Sequence, residues 1–215
     1  GDAAVGVYDL EAQQVLGRTS LQANFEHDDH NSPVFYAQPD GSLLTVYAKH
    51  NSEKVHYYRV STSDDFLTWG EEKTIESPVN VTYMNLYNLS EEETLYNLYR
   101  GIDWNPTYVT SKDNGNTWSD EHVHLIQNEV AGFQRPYARY AGNDKDTIGL
   151  SFTDAHPRDF GNSIYYAEFR GGNFYRVDGT FIKNLAKDGP LKPSEAEKLF
   201  QGGGGKYRGN ELSVE

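Results

Sequence analysis

The chain has 215 residues and a formal net charge of −13, with 32 Asp and Glu against 19 Lys and Arg. That balance excludes a general nucleic-acid binder, which needs a basic face, but a local Arg and His cluster can still receive an anionic ligand. With no Cys, disulfide frameworks and thiolate metal centres are excluded as well.

The 16 Tyr, 10 Phe and 20 Gly favour strands and turns over helices. No apolar run approaches the ~18 residues of a membrane span, so no membrane association is expected. The opening Gly1-Asp2-Ala3-Ala4-Val5-Gly6-Val7-Tyr8 reads as mid-domain sequence, and a secretion signal is not visible in it. The length fits one domain over residues 1–215.

In chain order, residues 4–8 read as a short strand and 11–25 as polar and irregular. Glu26 to His50 is the first organised unit. Val34–Ala37 and Leu43–Ala48 read as a hairpin around Pro39-Asp40-Gly41, with His30-Asn31 and His50-Asn51 at its outer ends. Outer ends of paired strands are neighbours, so the two imidazoles are expected side by side, suited to proton transfer or to metal binding. A histidine at a strand end is by default only a hydrogen-bonded surface residue. The acidic run Glu26, Asp28 and Asp29 beside His27 reads as a solvated loop able to attract a cation.

Val55–Ser61 reads as a strand, and Val81–Leu89 with Thr94–Arg100 as a second hairpin, followed by a strand over Thr107–Thr110. Ser111-Lys112-Asp113-Asn114-Gly115-Asn116-Thr117-Trp118 fits the Asp-box pattern at every fixed position. There the Asp carboxylate receives turn amides, Gly takes a positive φ and Trp plugs the gap beside the sheet. A looser copy runs from Thr62 to Trp69, with Phe66 in place of Gly. Trp69 and Trp118 lie roughly 50 residues apart, a repeat length typical of β-propellers. Strands are expected again at Thr147–Thr153 and Ile164–Phe169, a further blade end near Phe174–Gly179, and one short helix near Ser194–Phe200 after Pro193. His122 and His124 share one face of a strand, a weak metal motif. At about 50 residues per blade, the chain supplies roughly four blades, and a fragment of a larger ring is the preferred reading.

His30-Asn31-Ser32-Pro33, Pro39-Asp40-Gly41, His50, Tyr99-Arg100-Gly101, the octapeptide at 111–118, Arg135-Pro136-Tyr137, Thr153-Asp154-Ala155-His156-Pro157, Asn162-Ser163-Ile164-Tyr165 and Asp178-Gly179 occur here in this order. This ordered set resembles the BNR-repeat family that includes the β-propeller ulvan lyases, polysaccharide lyase families 24 and 25. The resemblance implies an all-β fold, a fragment of a seven-bladed propeller. It also implies a lyase acting on an anionic, uronate-containing polysaccharide; secretion or a periplasmic location and a monomeric state are expected. Carried over, His30 and His50 match the family's two histidines, Arg100 its carboxylate neutraliser and Tyr83 its catalytic tyrosine, with Tyr87 competing. No cofactor is implied for catalysis. A structural zinc or calcium ion has room, with His156 and Asp154 a weak candidate pair.

β-Elimination needs a charge neutraliser, a base and an acid. Arg gives a planar two-pronged contact and never loses its charge, a neutral His near its usual pKa of ~6.5 accepts a proton, and a Tyr hydroxyl donates one, or serves as base if its pKa is lowered. Asn31, Trp104, Asn105, Arg135, Tyr137 and His156 are the expected substrate contacts, Trp104 and Asn105 as a stacking and hydrogen-bonding platform. The bland alternatives are core packing for Tyr83 and an ion pair with Asp103 for Arg100. A sialidase-like hydrolase and a non-catalytic carbohydrate-binding propeller are the competing functions. The first requires a carboxylate pair or a Tyr–Glu nucleophile, and the second requires no convergence of His30, His50 and Arg100.

Overall fold

The computed structural model describes residues 1–131 and 136–204. Strands β1 (Ala3–Asp9) and β2 (Gln14–Gln22) pair as an antiparallel hairpin. Asp9 closes its turn, with Oδ1 accepting the amides of Glu11 and Ala12 at 2.9 Å each. Residues 11–25 therefore carry a long strand where irregular chain was expected. The strand sends only Leu21 fully inward and otherwise presents mainly polar side chains to water, so its sequence lacks a clear apolar alternation.

Strands β3 (Val34–Ala37), β4 (Leu43–Tyr47), β5 (Val55–Val60) and β6 (Lys73–Glu76) form an antiparallel sheet in chain order. Strands β7 (Thr82–Leu89), β8 (Thr94–Arg100), β9 (Pro106–Ser111) and β10 (Val123–His124) repeat that meander. The third sheet begins alike with β11 (Ala138–Gly142), β12 (Ile148–Thr153) and β13 (Ile164–Arg170). Then the plan changes. Strand β14 (Asn173–Tyr175) pairs the C-terminal part of β13 and also β15 (Phe181–Asn184), while β16 (Glu197–Phe200) pairs the N-terminal part of β13. Three meandering sheets and a hairpin thus stand where repeat length suggested roughly four blades, because everything from Ala138 to Phe200 joins one sheet.

The expected helix at Ser194–Phe200 is absent. Pro193–Glu195 makes a single 3-10 turn and the chain enters β16. The Glu195 carboxylate accepts the Lys192 amide at 2.8 Å and Lys183 Nζ at 3.0 Å, which stops the turn beside an open edge of β13. The short α-helix lies earlier, at Leu185–Asp188, capped by Asn184.

Stacking of the sheets explains the burial pattern. On β4, Leu44 and Val46 face Leu95 and Tyr99 of β8, while Tyr47 turns the other way onto Val5, Leu21 and Phe25. On β8, Tyr96 and Leu98 turn to Leu150, Phe152 and Phe169 of the third sheet. Both central strands are therefore buried on two faces, as inner layers of a stack must be. Hairpin and three sheets follow one another face to face, and the first strands β3, β7 and β11 are neighbours.

The two related octapeptides occupy equivalent loops, between the third and fourth strands of successive sheets. In the second, Asp113 Oδ1 accepts from Ser111 Oγ and the Thr117 amide at 2.8 Å each, and Oδ2 accepts from Thr117 Oγ1 at 2.6 Å. Gly115 has φ +89° and packs against Leu44 and Leu95. In the first, Phe66 holds φ 57° at the Gly position while Asp65 receives Ser63 Oγ at 2.5 Å and the Leu67 amide at 3.0 Å. No helix among the described residues is long and apolar enough to cross a membrane.

Candidate active site

One end of the stack gathers the entries of the first strands and the exits of the second strands. The loop into β3 brings His30, and the exit of β4 brings His50. Their rings stack 4.3 Å apart at 19°. Glu26 fixes this meeting: Oε2 accepts the His50 amide at 2.7 Å and Asn31 Nδ2 at 3.2 Å. The pairing expected from hairpin geometry is what the structure shows.

Tyr83 comes from the start of β7. The ladder to β8 shifts register between Thr82 and Asn85, and Tyr83 takes φ 60°, a left-handed conformation rare for an aromatic residue. Asn85 Nδ2 secures the bulge by donating to the Tyr83 carbonyl at 2.8 Å. The bulge turns the phenol toward the histidines: its ring centroid lies 5.7 Å from that of His30 and 6.0 Å from that of His50. Tyr87 points elsewhere, with its hydroxyl donating to the Tyr140 carbonyl at 2.8 Å, so geometry separates the two tyrosines.

Arg100 ends β8. Its guanidinium lies 4.7 Å from the Tyr83 ring centroid and 5.7 Å from that of Trp104, with Nη2 3.3 Å from His50 Nε2. Burial between aromatic faces suits a delocalised cation. Trp104 and Asp103 both have positive φ, 65° and 50°, in the short turn after Arg100. Asn105 is only 3% exposed. Its Nδ2 donates to the Asp103 carbonyl at 3.2 Å, and its Oδ1 accepts the Asn128 amide at 3.1 Å. As placed, Asn105 braces the turn and does not offer its amide to a ligand, so the expected platform reduces to Trp104.

The third sheet adds Tyr137, just before β11, and His156, just after β12. Tyr137 Oη lies 3.3 Å from Tyr83 Oη and 3.5 Å from His156 Nε2. Arg135 lies outside the described residues. His156 Nδ1 accepts the Arg158 amide at 3.0 Å, while Asp154 spends its carboxylate on the Ser163 amide at 2.6 Å and Tyr165 Oη at 2.8 Å. Both members of this candidate metal pair are thus engaged with neighbouring groups. His122 is likewise engaged, with Nδ1 2.6 Å from Tyr99 Oη and Nε2 2.8 Å from the Glu76 carbonyl.

These groups border a cleft of about 530 Å³ lined by His30, Ser32, Tyr83, Arg100, Tyr137 and Arg139, among others. Burial, reinforced by the Tyr137 hydroxyl, pushes the Tyr83 phenol well above the ordinary tyrosine range, against the smaller opposing pull of Arg100. The Tyr83 hydroxyl is thus protonated at neutral pH.

Two further residues contribute, and the role of one, Asp28, escaped the sequence reading. Arg139 lines the cleft from β11. Asp28, seen only as part of an acidic loop, has Oδ1 2.6 Å from His30 Nδ1 and Oδ2 3.0 Å from His50 Nδ1. Its Oδ1 also accepts the His30 backbone amide at 2.8 Å, an i to i+2 Asx turn that was the one available sequence signal. The His30 amide, foremost, and the two imidazoles hold the Asp28 carboxyl far below the usual carboxylate range. Among the described residues, Asp28, His30 and His50 are also the one group of three ligand types close enough to hold a metal ion, their atoms all within 4.8 Å of one another.

A family model described as BNR repeat-containing family member matches residues 1–211. No curated protein matches the chain. Among solved structures, the chain is similar to a polysaccharide lyase of family PL25, an ulvan lyase, with a TM-score of 0.70 at 16% identity over 94% of this chain and 54% of that one. The same figures hold for a PL25 ulvan lyase bound to -[GlcA(1-4)Rha3S]-. The polysaccharide lyase Uly1 matches with a TM-score of 0.58 at 14% identity, over 92% of this chain and 53% of that one. The chain spans about half the length of these structures, and at such identities the likeness is one of fold: all-β, built from stacked antiparallel sheets.

Proposed function

The chain belongs to the BNR repeat-containing family, and from that membership and the geometry of its cleft we propose that it is a polysaccharide lyase that cleaves a uronate-containing chain by β-elimination. The half-length match supports reading its sheets as blades of a larger propeller. The carrying observation is the convergence of His30, Tyr83 and Arg100 on one cleft, with the His30 ring 5.7 Å and the Arg100 guanidinium 4.7 Å from the Tyr83 ring centroid.

In this reading a glucuronate carboxylate approaches Arg100. Its charge is offset there, which makes the C5 proton removable and stabilises the enediolate that forms; such preorganised electrostatics is usually the largest catalytic contribution. His30 takes the C5 proton. Tyr83, kept protonated by burial, donates to the C4 oxygen as the bond to it breaks. Trp104 and Tyr137 flank the sugar, and His50 holds Arg100 through the contact at Nε2. The PL25 lyase bound to a glucuronate and sulfated rhamnose disaccharide repeat makes an ulvan-like polymer the first substrate to test. Hydrolysis of the sialidase type is less well supported, because Asp29 is the one carboxylate among the described lining residues and it contacts His30 at 2.8 Å.

The test is ultraviolet absorbance of the unsaturated uronate during incubation with ulvan and other uronate polymers. Elimination produces it, whereas hydrolysis and binding do not. Reducing ends appearing without that absorbance would overturn the lyase reading.

A further inference from the structure

One carboxylate stands behind both imidazoles of the cleft. Asp28 is ionised at neutral pH, and an ionised carboxylate only accepts hydrogen bonds. His30 and His50 must then each carry a proton on Nδ1, 2.6 and 3.0 Å from the two Asp28 oxygens. On its other side His50 Nε2 faces Arg100 Nη2 at 3.3 Å, and a guanidinium only donates. His50 therefore keeps a lone pair on Nε2, is neutral, and aims that lone pair at Arg100. His30 differs. It lines the cleft, whereas His50 does not, and no hydrogen bond to a described residue occupies its Nε2.

We propose that Asp28 is the positioning residue of this site: by receiving Nδ1–H from both imidazoles, it sets both with bare Nε2 atoms, leaving His30 to abstract the substrate proton and His50 to hold Arg100. The catalytic half of this assignment rests on the lyase reading, and the tautomer half does not. The logic is that of a carboxylate fixing the tautomer of a general-base histidine, here applied by one carboxylate, its side chain 27% exposed, to two rings. Asp29 also reaches His30 Nδ1, at 2.8 Å, but its side chain is 95% exposed and it contacts only that ring. Among the described residues, the other charged or titratable groups facing the pair are Tyr83 and Arg100 across the cleft and Glu26 beneath the His50 amide.

Replacing Asp28 with Asn offers one acceptor and one N–H donor where two acceptors stood. The donor forces one imidazole to present a bare Nδ1 and therefore a protonated Nε2. If that ring is His30 the base is lost, and if it is His50 an N–H meets the Arg100 guanidinium.

Nitrogen NMR of the histidines in the full chain tests this directly. The wild type is expected to show His30 and His50 with protonated Nδ1 and unprotonated Nε2 at neutral pH, and Asp28→Asn to convert at least one ring to the Nε2–H form. In elimination assays the variant should lose at least ~10-fold in kcat, up to the ~10⁴-fold that a wrong histidine tautomer costs a catalytic triad, with little change in KM. Asp29→Asn should keep both tautomers. A protonated Nε2 on either ring in the wild type, or an Asp28→Asn protein with unchanged tautomers and kcat, would overturn the proposal. Should Asp28→Asn not fold, the wild-type spectrum still decides. Should the wild type cleave no uronate polymer, the lyase reading falls and the spectrum alone decides the tautomer assignment.

Discussion

Tyr83→Phe removes one oxygen atom and isolates the proposed acid. The hydroxyl lies 3.3 Å from Tyr137 Oη, a long contact, and also interacts with the Arg100 side chain, so its loss should cost the ~0.5–1.5 kcal/mol of a typical hydrogen bond. The ring stays, and with it the packing against Arg100 at 4.7 Å. Catalysis should suffer far more. A positioned general acid contributes about 10²–10⁴-fold, which at ~1.36 kcal/mol per factor of ten is about 2.7–5.4 kcal/mol of transition-state stabilisation. The assay is the initial rate of unsaturated uronate formation, alongside a thermal melt. A substrate whose C4 substituent leaves without protonation should recover most of the lost rate in the variant, because the acid is then not needed. Raised above the ordinary tyrosine range, Tyr83 also should impose no basic limb on the wild-type pH profile near neutrality. A Tyr83→Phe protein with wild-type kcat, or one equally slow on both substrates, would refute the assignment of Tyr83 as acid.

Arg100→Met should lower kcat by about 10²–10³-fold, the loss seen when one preorganised oxyanion donor is removed, and Arg100→Lys should fall between, keeping the charge but losing the planar two-pronged contact; circular dichroism separates this from unfolding. Gly115→Ala places a side chain at φ +89° against Leu44, and should destabilise by about 1–3 kcal/mol, read as a melting temperature lower by several degrees with kcat retained. The buried His56 is pushed down to about 3 by desolvation first and by His122 second. Since the unfolded histidine titrates near ~6.5, the unfolded state binds more protons between those values. His56 therefore contributes stability that is full above about pH 6.5 and is lost as pH falls toward 3, at up to ~1.4 kcal/mol per pH unit. Denaturant midpoints should decline across that window, and His56→Leu should flatten the decline.

The legible and illegible parts of this molecule differ in physical kind. The His30 and His50 meeting followed from hairpin topology alone, because paired strands bring their outer ends together whatever the side chains. The octapeptide loops were legible because their hydrogen bonds are local: Asp113 meets Ser111 and Thr117 within a single turn. Tyr83 could not be separated from Tyr87 on residues alone. The choice is made by a bulge between Thr82 and Asn85, and a one-residue irregularity turns successive side chains to other faces. Asp28 was hidden for a related reason, since its second partner, His50, lies across a strand pair. The helix expected at 194–200 and the irregular chain expected at 11–25 failed because tertiary pairing decided them: β13 offers an open edge to Glu197–Phe200, and β1 offers one to Gln14–Gln22.

Topology also explains why the site sits where it does. Each sheet contributes one residue near the start of its first strand and one just at or after the end of its second: His30 with His50, Tyr83 with Arg100, Tyr137 with His156. These positions are adjacent within each sheet because the two strands are antiparallel, and they meet between sheets because β3, β7 and β11 are neighbours. The repeat supplies equivalent places, and local irregularity makes them different. Positive φ occurs at Tyr83, at Asp103 and Trp104 beside Arg100, and at Asn51 beside His50, each such conformation costing about 1–3 kcal/mol in an unfavourable residue type, less for Asn and Asp. Only a surrounding that over-determines the backbone retains them, and here the two cores that flank β8 do so, with Leu95 and Tyr99 on one side and Tyr96 and Leu98 on the other. A cavity opened in either core, as by Leu98→Ala, should therefore loosen the Arg100 end of β8 and lower kcat beyond what the fraction of folded protein explains, whereas an equal loss of stability introduced in the β1–β2 hairpin should leave the kcat of the folded fraction unchanged.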